Sequence, residues 1–344
     1  MKRKDYFFIS IIIFLICVIV FLMTRKKEMI SRAQTSVKMP RKTVVGLFFH
    51  TWHTGTFTKV MGEAGGYPPV IDVYWWGRPA YAGGDVSKYA WTPDGNLARY
   101  QLDLVEDLGV DFLYIDLTNG TQPEIMAGLH VLCRARQERR RGPKIVVWCQ
   151  MKEHVELMAK EFYDAYDSSI FFEWRGKPLI MIAGLADGWV PNGSPKPIPT
   201  GGIFDRFTVR WCWGLLGANS NSMWNFKELD SNRRPYEFEG RPEQMSVAFA
   251  SQATYMTVPN DGRRCRENGR FFKEQKKAVK KHRPEIVCIH SWNEWTAINF
   301  STVPDAPQFV DLAGPECSAD IEPMKGGHGD RYYRMSKAYI ESLP

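Results

Sequence analysis

The sequence has no pair of cysteines at C-x-x-C spacing, although it contains seven cysteines. A structural zinc site or a thioredoxin-like dithiol is therefore not expected. No glycine-rich nucleotide fingerprint follows the first predicted strand, and no recognition motif accompanies the basic clusters behind the net charge of +7. These absences argue against a dinucleotide-binding protein and against a nucleic-acid-binding protein.

The cysteines differ in their surroundings. Cys149, Cys212 and Cys288 lie in apolar, strand-like runs, and we interpret them as small core residues. Cys265 and Cys317 lie in loop regions, and the sequence leaves open whether they form a disulfide bond.

An uninterrupted apolar run covers residues 6–23, between a basic flank at 1–5 and a basic, polar stalk at 24–42. Its 18 residues, at about 1.5 Å each, are close to the thickness of a bilayer core. Basic residues follow the run and no small-x-small cleavage site is present, so we predict an uncleaved signal anchor with one transmembrane helix. Residues 43–344 would form the single large domain.

Short apolar runs alternate with amphipathic stretches from residue 44 onwards. Strands that alternate with helices are typical of βαβ units around a parallel sheet. Eight such units over roughly 300 residues predict an α/β fold of the (β/α)8 TIM-barrel class with long βα loops, and a doubly wound open sheet is the competitor. The predicted strands are 44–49, 112–116, 144–149, 179–183, 207–213, 246–250 and 286–290, with 70–75 as a weaker eighth, and the predicted helices are 97–108, 123–140, 153–166, 271–282 and 330–342.

The chain changes abruptly from apolar to polar and aromatic after residues 286–290. This run has the composition of a buried strand, and Trp292, Asn293, Glu294 and Trp295 follow it. In a parallel barrel the strand ends open into the site, so Glu294 is predicted to be a catalytic carboxylate between two indole rings. Indole faces stack on the C–H faces of sugars, and a carboxylate with a raised pKa can act as an acid or base. The alternative is that Glu294 caps a turn and both rings belong to the core.

The same rule selects residues after the other predicted strands. Asp116 is predicted to be a second catalytic carboxylate, with helix capping as the alternative. His50 and His53 are three residues apart, but no third ligand is near, so hydrogen bonding to substrate or core is favoured over metal binding. The predicted substrate-binding residues are His50, Trp52, His53, Asn119, Trp211, Trp213, Trp292, Asn293, Trp295 and His328.

A long loop follows Glu294, and within it residues 321–330 contain three glycines and one proline. This composition gives the backbone a specific path, which suits a lid or a substrate wall, although an ordinary ordered surface loop would also explain it. Glu322 in this loop, and Glu153 after the predicted strand 144–149, are reserve candidates for the second catalytic carboxylate.

The motif Trp292-Asn293-Glu294-Trp295 resembles that of the endo-α-mannosidase-like glycosidases and the related polysaccharide-biosynthesis proteins. The resemblance covers most of residues 44–342. It implies a (β/α)8 fold, retaining hydrolysis of α-linked glycans without a metal or other cofactor, and a catalytic carboxylate at Glu294. The chain departs from the endo-acting enzymes at Ala297, where they carry a second Glu. Further segments similar to a bacterial branch of these barrels are 116–119, 320–324 and 327–330.

Three functions remain open. The leading one is a membrane-anchored glycoside hydrolase in which Glu294 acts with Asp116 or Glu322. The second is a glycosyltransferase or polysaccharide-assembly protein, and the third is a non-catalytic glycan-binding barrel, which Ala297 would suit. The expected partners are a glycan substrate and the membrane, through the N-terminal helix, and not nucleic acid; the sequence indicates no protein partner.

The orientation of the anchor is contested. More Lys and Arg follow the span than precede it, which favours a cytoplasmic domain, but long domains are translocated largely regardless of that count. Because glycan processing usually takes place outside the cytoplasm, we expect a single-pass membrane protein with its catalytic domain exported to the periplasm, the exterior or a lumen.

Overall fold

The structure is a computed structural model, which describes residues 42–56, 58, 60, 72–184, 197–213, 222–226, 234–251, 264–299 and 316–344. Residues 42–344 cluster as one compact unit. The predicted anchor at 6–23 and the stalk up to residue 41 lie outside the described residues. Among the helices that are described, none is long and apolar enough to cross a membrane.

Strands and α-helices alternate between residues 96 and 158 and again between 241 and 290, as the sequence predicts, whereas the described strands between 173 and 248 have no described α-helix between them. The strands are β1 (Val44–Phe49), β2 (Asp72–Trp75), β3 (Phe112–Leu117), β4 (Lys144–Cys149), β5 (Glu173–Trp174), β6 (Lys177–Ile182), β7 (Thr208–Trp211), β8 (Tyr236–Phe238), β9 (Arg241–Ala248), β10 (Ile286–His290) and β11 (Thr296–Asn299). The helices are α1 (Asn96–Leu108), α2 (Pro123–Gln137), α3 (Val155–Met158), α4 (Arg270–His282) and α5 (Arg331–Ser342).

Short helical turns complete the secondary structure. A π-helical turn, Ala159–Tyr163, directly continues α3, so the single helix predicted at 153–166 is divided into shorter pieces. The 3-10 helices are Tyr81–Gly84, Val86–Lys88, Lys152–His154, Ser168–Ile170, Gly202–Arg206 and Glu267–Gly269.

One nine-stranded sheet forms the framework of the domain. Seven strands are parallel, in the spatial order β7-β6-β4-β3-β1-β10-β9, and β5 and β8 pair antiparallel with β6 and β9. The sheet curls into a half-barrel, so the α/β class is confirmed and the arrangement is consistent with a TIM-like fold. The strands β3, β1 and β10 are direct neighbours, which brings their carboxyl ends to the same edge.

Side chains alternate between the two faces of the curled sheet, as the strand period of two requires. Phe48 and Tyr114 belong to an aromatic-rich cluster on the concave side, whereas Phe49 and Leu113 pack in the larger core on the helical side. Two residues further along, His50 contacts the ring of Phe48, with the ring centroids 4.7 Å apart. The same alternation places residue 116 on the concave side at the end of β3.

Side chains and a short segment bridge the space between β7 and β9, which do not pair directly. The Trp224 N–H donates to the Trp211 carbonyl at 2.9 Å. The Gln244 side chain binds both backbone groups of Asn225, at 2.9 and 2.7 Å. Within the described residues, this segment, and not an eighth parallel strand, therefore links β7 to β9.

The prediction that residues 70–75 supply a barrel strand is wrong. β2 pairs antiparallel with β11 in a separate two-stranded sheet, in which Tyr74 lies opposite Ala297. Tyr74 and Trp75 are buried. An apolar run indicates that a segment will be buried but does not specify its partner strand.

Candidate active site

Glu294 lies four residues beyond β10 and is 9% exposed. Hydrogen bonds engage both the backbone N–H and the backbone carbonyl of Glu294. The N–H donates to Asp320 Oδ1 at 2.8 Å, and the carbonyl accepts a hydrogen bond from Trp76 Nε1 at 2.9 Å. Residues far along the chain from Glu294 thus fix the path of its backbone.

The segment after residue 317 runs alongside the loop that carries Glu294. The Ser291 N–H donates to Ala319, while Ile321 and Glu322 donate their N–H groups to Ser291 and Trp292, at 3.3, 3.1 and 3.0 Å. These backbone bonds, which lie beyond the end of β10, hold the loop against the segment after residue 317.

Asp116 and His50 meet at the carboxyl ends of β3 and β1. His50 Nδ1 lies 3.5 Å from Asp116 Oδ2, and Asp116 Oδ1 accepts the Thr118 N–H at 2.7 Å. Burial, with a smaller contribution from His53, lowers the pKa of His50 well below its usual range. The imidazole is therefore neutral near pH 7, so its contact with Asp116 is polar and not a full ion pair.

Helix α2 supports this corner of the site. Gly128 approaches the loop after β1 so closely that a Cβ atom there would lie 1.8 Å from the Thr51 carbonyl oxygen. A larger residue at this position would displace the loop that carries His50. The glycine is thus required by a close backbone approach.

Asn293 has a structural role in place of the predicted substrate contact. Its side-chain oxygen accepts the His50 N–H at 2.8 Å, and its nitrogen donates to the His50 carbonyl at 3.0 Å and to Tyr89 Oη at 3.1 Å. The residue is fully buried. An amide whose oxygen and nitrogen are both engaged internally ties the ends of β1 and β10 together.

The expectation that Trp292 and Trp295 form stacking surfaces does not agree with their burial, because both are 0% exposed. Trp292 Nε1 donates to Gln101 Oε1 at 2.6 Å. Trp295 stacks on Trp76 at 4.4 Å between ring centroids and donates its indole N–H to Glu322. These rings are core residues that fix the loop on either side of Glu294.

Glu322 is also enclosed. Its carboxylate accepts hydrogen bonds from Tyr89 Oη at 2.7 Å, Gln101 Nε2 at 2.6 Å and Trp295 Nε1. Burial raises the pKa of Glu322 to about 7, although the three hydrogen bonds lower it. Because it is 0% exposed, its reserve assignment as a catalytic acid does not fit this structure. The other reserve, Glu153, is exposed on a 3-10 helix beside Lys152, 3.7 Å away.

Two of the remaining predicted tryptophans are partly exposed. Trp52 stacks on His50 at 5.0 Å, and Trp213 contacts Trp148 at 5.9 Å. Neither indole N–H has a hydrogen-bond partner in the described part of the chain. Trp211 differs, because it packs in the core on the helical side and donates to the Pro197 carbonyl at 3.1 Å. Its burial leaves less of the ring for stacking than that of Trp52 or Trp213, and its role in binding stays a prediction.

The other predicted binding residues lie apart. His53 is buried against Trp75, with ring centroids 5.4 Å apart, and so belongs to the core instead of a binding surface. Asn119 is exposed in the turn after β3. His328 is partly buried on Tyr332, and burial together with Arg266 lowers its pKa to about 3.

Sequence reasoning missed four residues that organise the site. Asp320 lies in a segment that carries the family resemblance, and its position there was the available signal. No local pattern indicates Trp76, Tyr89 or Gln101, which reach the Glu294 loop only through the tertiary fold. Among the residues described, no group of three or more His, Cys, Asp or Glu could hold a metal ion.

No protein-family model matches the sequence, and no curated protein does. The fold is similar to solved structures of the GH99 endo-alpha-mannosidase from Bacteroides thetaiotaomicron. One, a complex with Bis-Tris-propane, is 14% identical with a TM-score of 0.51 over 87% of this chain and 97% of that chain. The other has the same identity and TM-score, over 86% and 96%. The chain therefore has an endo-alpha-mannosidase-like glycoside hydrolase fold, as the sequence motif predicts.

Proposed function

We propose that the protein is a glycoside hydrolase that acts on an α-linked oligo- or polysaccharide, with Glu294 and Asp116 as its paired carboxylates. The observation that carries the proposal is the adjacency of β3, β1 and β10, whose carboxyl ends lead to Asp116, His50 and Glu294. The similarity of the fold to endo-alpha-mannosidases supports the choice of an α-linked glycan.

Hydrolysis of a glycosidic bond needs one carboxylic acid to protonate the leaving oxygen and one carboxylate to act as nucleophile or base. Ala297 cannot provide an acid, and its strand is engaged with β2. Asp116 would supply the missing group, oriented by the Thr118 N–H and by neutral His50. Trp52 and Trp213, the partly exposed indoles, would stack on the sugar rings.

Ala297 also favours a second candidate, a glycan-binding protein that does not cleave. The position where the resemblance expects a second Glu carries a methyl group, so the protein would bind a sugar without the acid that hydrolysis needs. A third candidate, a glycosyltransferase or polysaccharide-assembly protein, would require a nucleotide-sugar site, and no described feature supports one over hydrolysis.

We further propose that the domain is exported and is tethered by residues 6–23. Cys265 and Cys317 form a disulfide bond, and such bonds persist in oxidising compartments. This pairing supports the exported orientation over the cytoplasmic one. Limited proteolysis of intact cells or membrane vesicles, on each side of the membrane, would test it.

The catalytic proposal is tested with α-mannan and α-glucan oligosaccharides labelled at the reducing end, with products identified by mass spectrometry. The wild type should release shorter fragments, and Glu294→Gln should lower the rate by about 10²-fold or more. Glu153→Gln is a matched control on an exposed carboxylate and should keep the rate. Full activity of Glu294→Gln would refute the proposal.

Binding distinguishes the alternatives. Bis-Tris-propane, a polyhydroxylated amine found with the similar mannosidase, can be titrated by calorimetry into wild type and Glu294→Gln. Weaker binding to the variant would support a carboxylate that recognises a cation at the sugar site. Oligosaccharides that bind and are recovered intact would instead favour the non-catalytic protein, and selective binding of a nucleotide sugar would favour the transferase.

A further inference from the structure

Asp320 has a buried carboxylate that is engaged by four hydrogen-bond donors. Oδ1 accepts from Ser291 Oγ at 2.6 Å and from the Glu294 N–H at 2.8 Å. Oδ2 accepts from Ser318 Oγ at 2.8 Å and from Trp76 Nε1 at 3.2 Å. The residue is 1% exposed, so both carboxylate oxygens bind groups inside the protein and not solvent.

The geometry links this carboxylate to both backbone polar groups of one residue, Glu294, which belong to two consecutive peptide units. Trp76 Nε1 donates to the Glu294 carbonyl at 2.9 Å as well as to Asp320. Asp320 and Trp76 together therefore enclose the Glu294 backbone from its N–H side and its C=O side. Rotation of either peptide plane would break at least one of these bonds.

A buried cation balances the charge. Arg266 is fully buried, and its guanidinium lies 4.4 Å from the ring centroid of Tyr332 and 5.8 Å from that of Trp76. The charge of Asp320 favours the protonated form of Arg266, although burial lowers the pKa of Arg266 to about 10. Hydrogen bonds in which one partner is charged are stronger than those between neutral groups.

A covalent bond holds the two segments that surround Asp320. Cys265, next to Arg266, is bonded to Cys317, next to Ser318. The Arg266 N–H also donates to the Glu316 carbonyl at 2.8 Å. The cation and the hydroxyl that orient Asp320 are thus fixed relative to one another.

We propose that Asp320 is the positioning residue of Glu294: it fixes the backbone from which the catalytic carboxylate projects, and it does not itself touch substrate. The proposal rests on the proposed function, because it assigns the support of that same carboxylate. Preorganised supports of this kind hold a reacting group within fractions of an ångström of its productive place.

Asp320→Asn is the first test, because it keeps the volume but replaces one acceptor oxygen with an NH2 donor. The new NH2 group then faces two groups that are themselves donors, either Ser291 Oγ with the Glu294 N–H or Ser318 Oγ with Trp76 Nε1. With the labelled oligosaccharide that the wild type cleaves, kcat should fall by about 10²-fold while KM changes little. Because the Glu294 carboxyl would then leave its place in the site, the acidic limb of kcat/KM, which reports the ionisation of the catalytic pair, should also move.

Asp111→Asn is the matched control. Asp111 Oδ2 accepts the Val45 N–H at 2.7 Å, at the opposite end of the parallel strands. This variant should leave the acidic limb in place and kcat near the wild-type value. Ser291→Ala provides a second variant that keeps the Asp320 carboxylate and removes one donor, and it should lower kcat in the same direction by a smaller factor.

The outcomes separate this inference from the proposed function. The positioning role is refuted if Glu294→Gln is inactive while Asp320→Asn and Ser291→Ala keep the wild-type kcat. It is also refuted if these two variants lose activity only through KM, with no shift of the acidic limb. If Glu294→Gln retains full activity, the proposed function fails instead. Amide hydrogen exchange at the Glu294 N–H then still decides whether Asp320 anchors this backbone, since unchanged protection in Asp320→Asn would overturn it.

Discussion

The side chain of Asn293 binds both backbone groups of His50, accepting its N–H at 2.8 Å and donating to its carbonyl at 3.0 Å. The amide thereby extends the pairing of β1 with β10 beyond the point where both strands end. Asp116, which lies 3.5 Å from His50, and Glu294, which follows Asn293, depend on this join for their relative placement.

Asn293→Ala should destabilise the fold because it leaves the buried N–H and carbonyl of His50 without their partner. The expected cost is about 1–3 kcal/mol for each group that water cannot reach. Urea unfolding would measure it. Asn119→Ala, on an exposed asparagine, is the control, and an equal loss in both variants would contradict the role of the amide.

Glu322 should make the stability of the protein depend on pH. Its folded pKa of about 7 lies above its usual value of 4.5, so the folded state binds the proton more tightly than the unfolded chain. The resulting stabilisation is complete below pH 4.5 and is lost as the pH rises through about 7. Glu322→Gln cannot ionise.

The free energy of unfolding of the wild type, relative to that of Glu322→Gln, should therefore fall by up to about 3 kcal/mol between mildly acidic and neutral pH. Denaturant titrations at a series of pH values would measure the difference. Glu153→Gln should follow the wild-type curve. Parallel curves for the wild type and Glu322→Gln would show that the carboxyl does not titrate in this range.

Reduction of the Cys265–Cys317 bond should cost stability. The bond closes a loop of 52 residues, for which the chain-entropy relation gives about 4 kcal/mol. Thermal unfolding with and without dithiothreitol would report the loss as a lower Tm. The double variant Cys265→Ala, Cys317→Ala should begin at the lower Tm and show no response to the reductant.

Glu243 should be essential for the bridge between β7 and β9. It is 0% exposed and accepts hydrogen bonds from Arg210 at 2.6 and 2.9 Å and from Trp224 Nε1 at 2.8 Å. Glu243→Ala would leave the buried Arg210 cation without its carboxylate, at a cost of about 3–5 kcal/mol. Asp164→Ala breaks the exposed pair with Arg206 and should cost no more than about 1 kcal/mol in the same unfolding assay.

The sequence by itself determined the α/β class and most strand positions. The predicted bounds at 44–49, 144–149 and 286–290 coincide with β1, β4 and β10, since runs buried on both faces carry a continuous apolar signal. It also indicated His50, Asp116 and Glu294 as residues at strand ends, because strand period and strand end are both local properties.

Only the tertiary structure decided which of the polar and aromatic residues belong to the core. Four residues have side chains typical of a binding site: Trp292, Asn293, Trp295 and Glu322. Their hydrogen-bond partners are distant in sequence, because Trp292 and Glu322 bind Gln101 in α1, Asn293 binds Tyr89, and Trp295 binds Glu322. Burial of a polar group is set by partners distant in sequence, which no local pattern contains. The same reason hid Asp320, whose four donors converge only when the loop after β10 and the segment beyond Cys317 lie side by side.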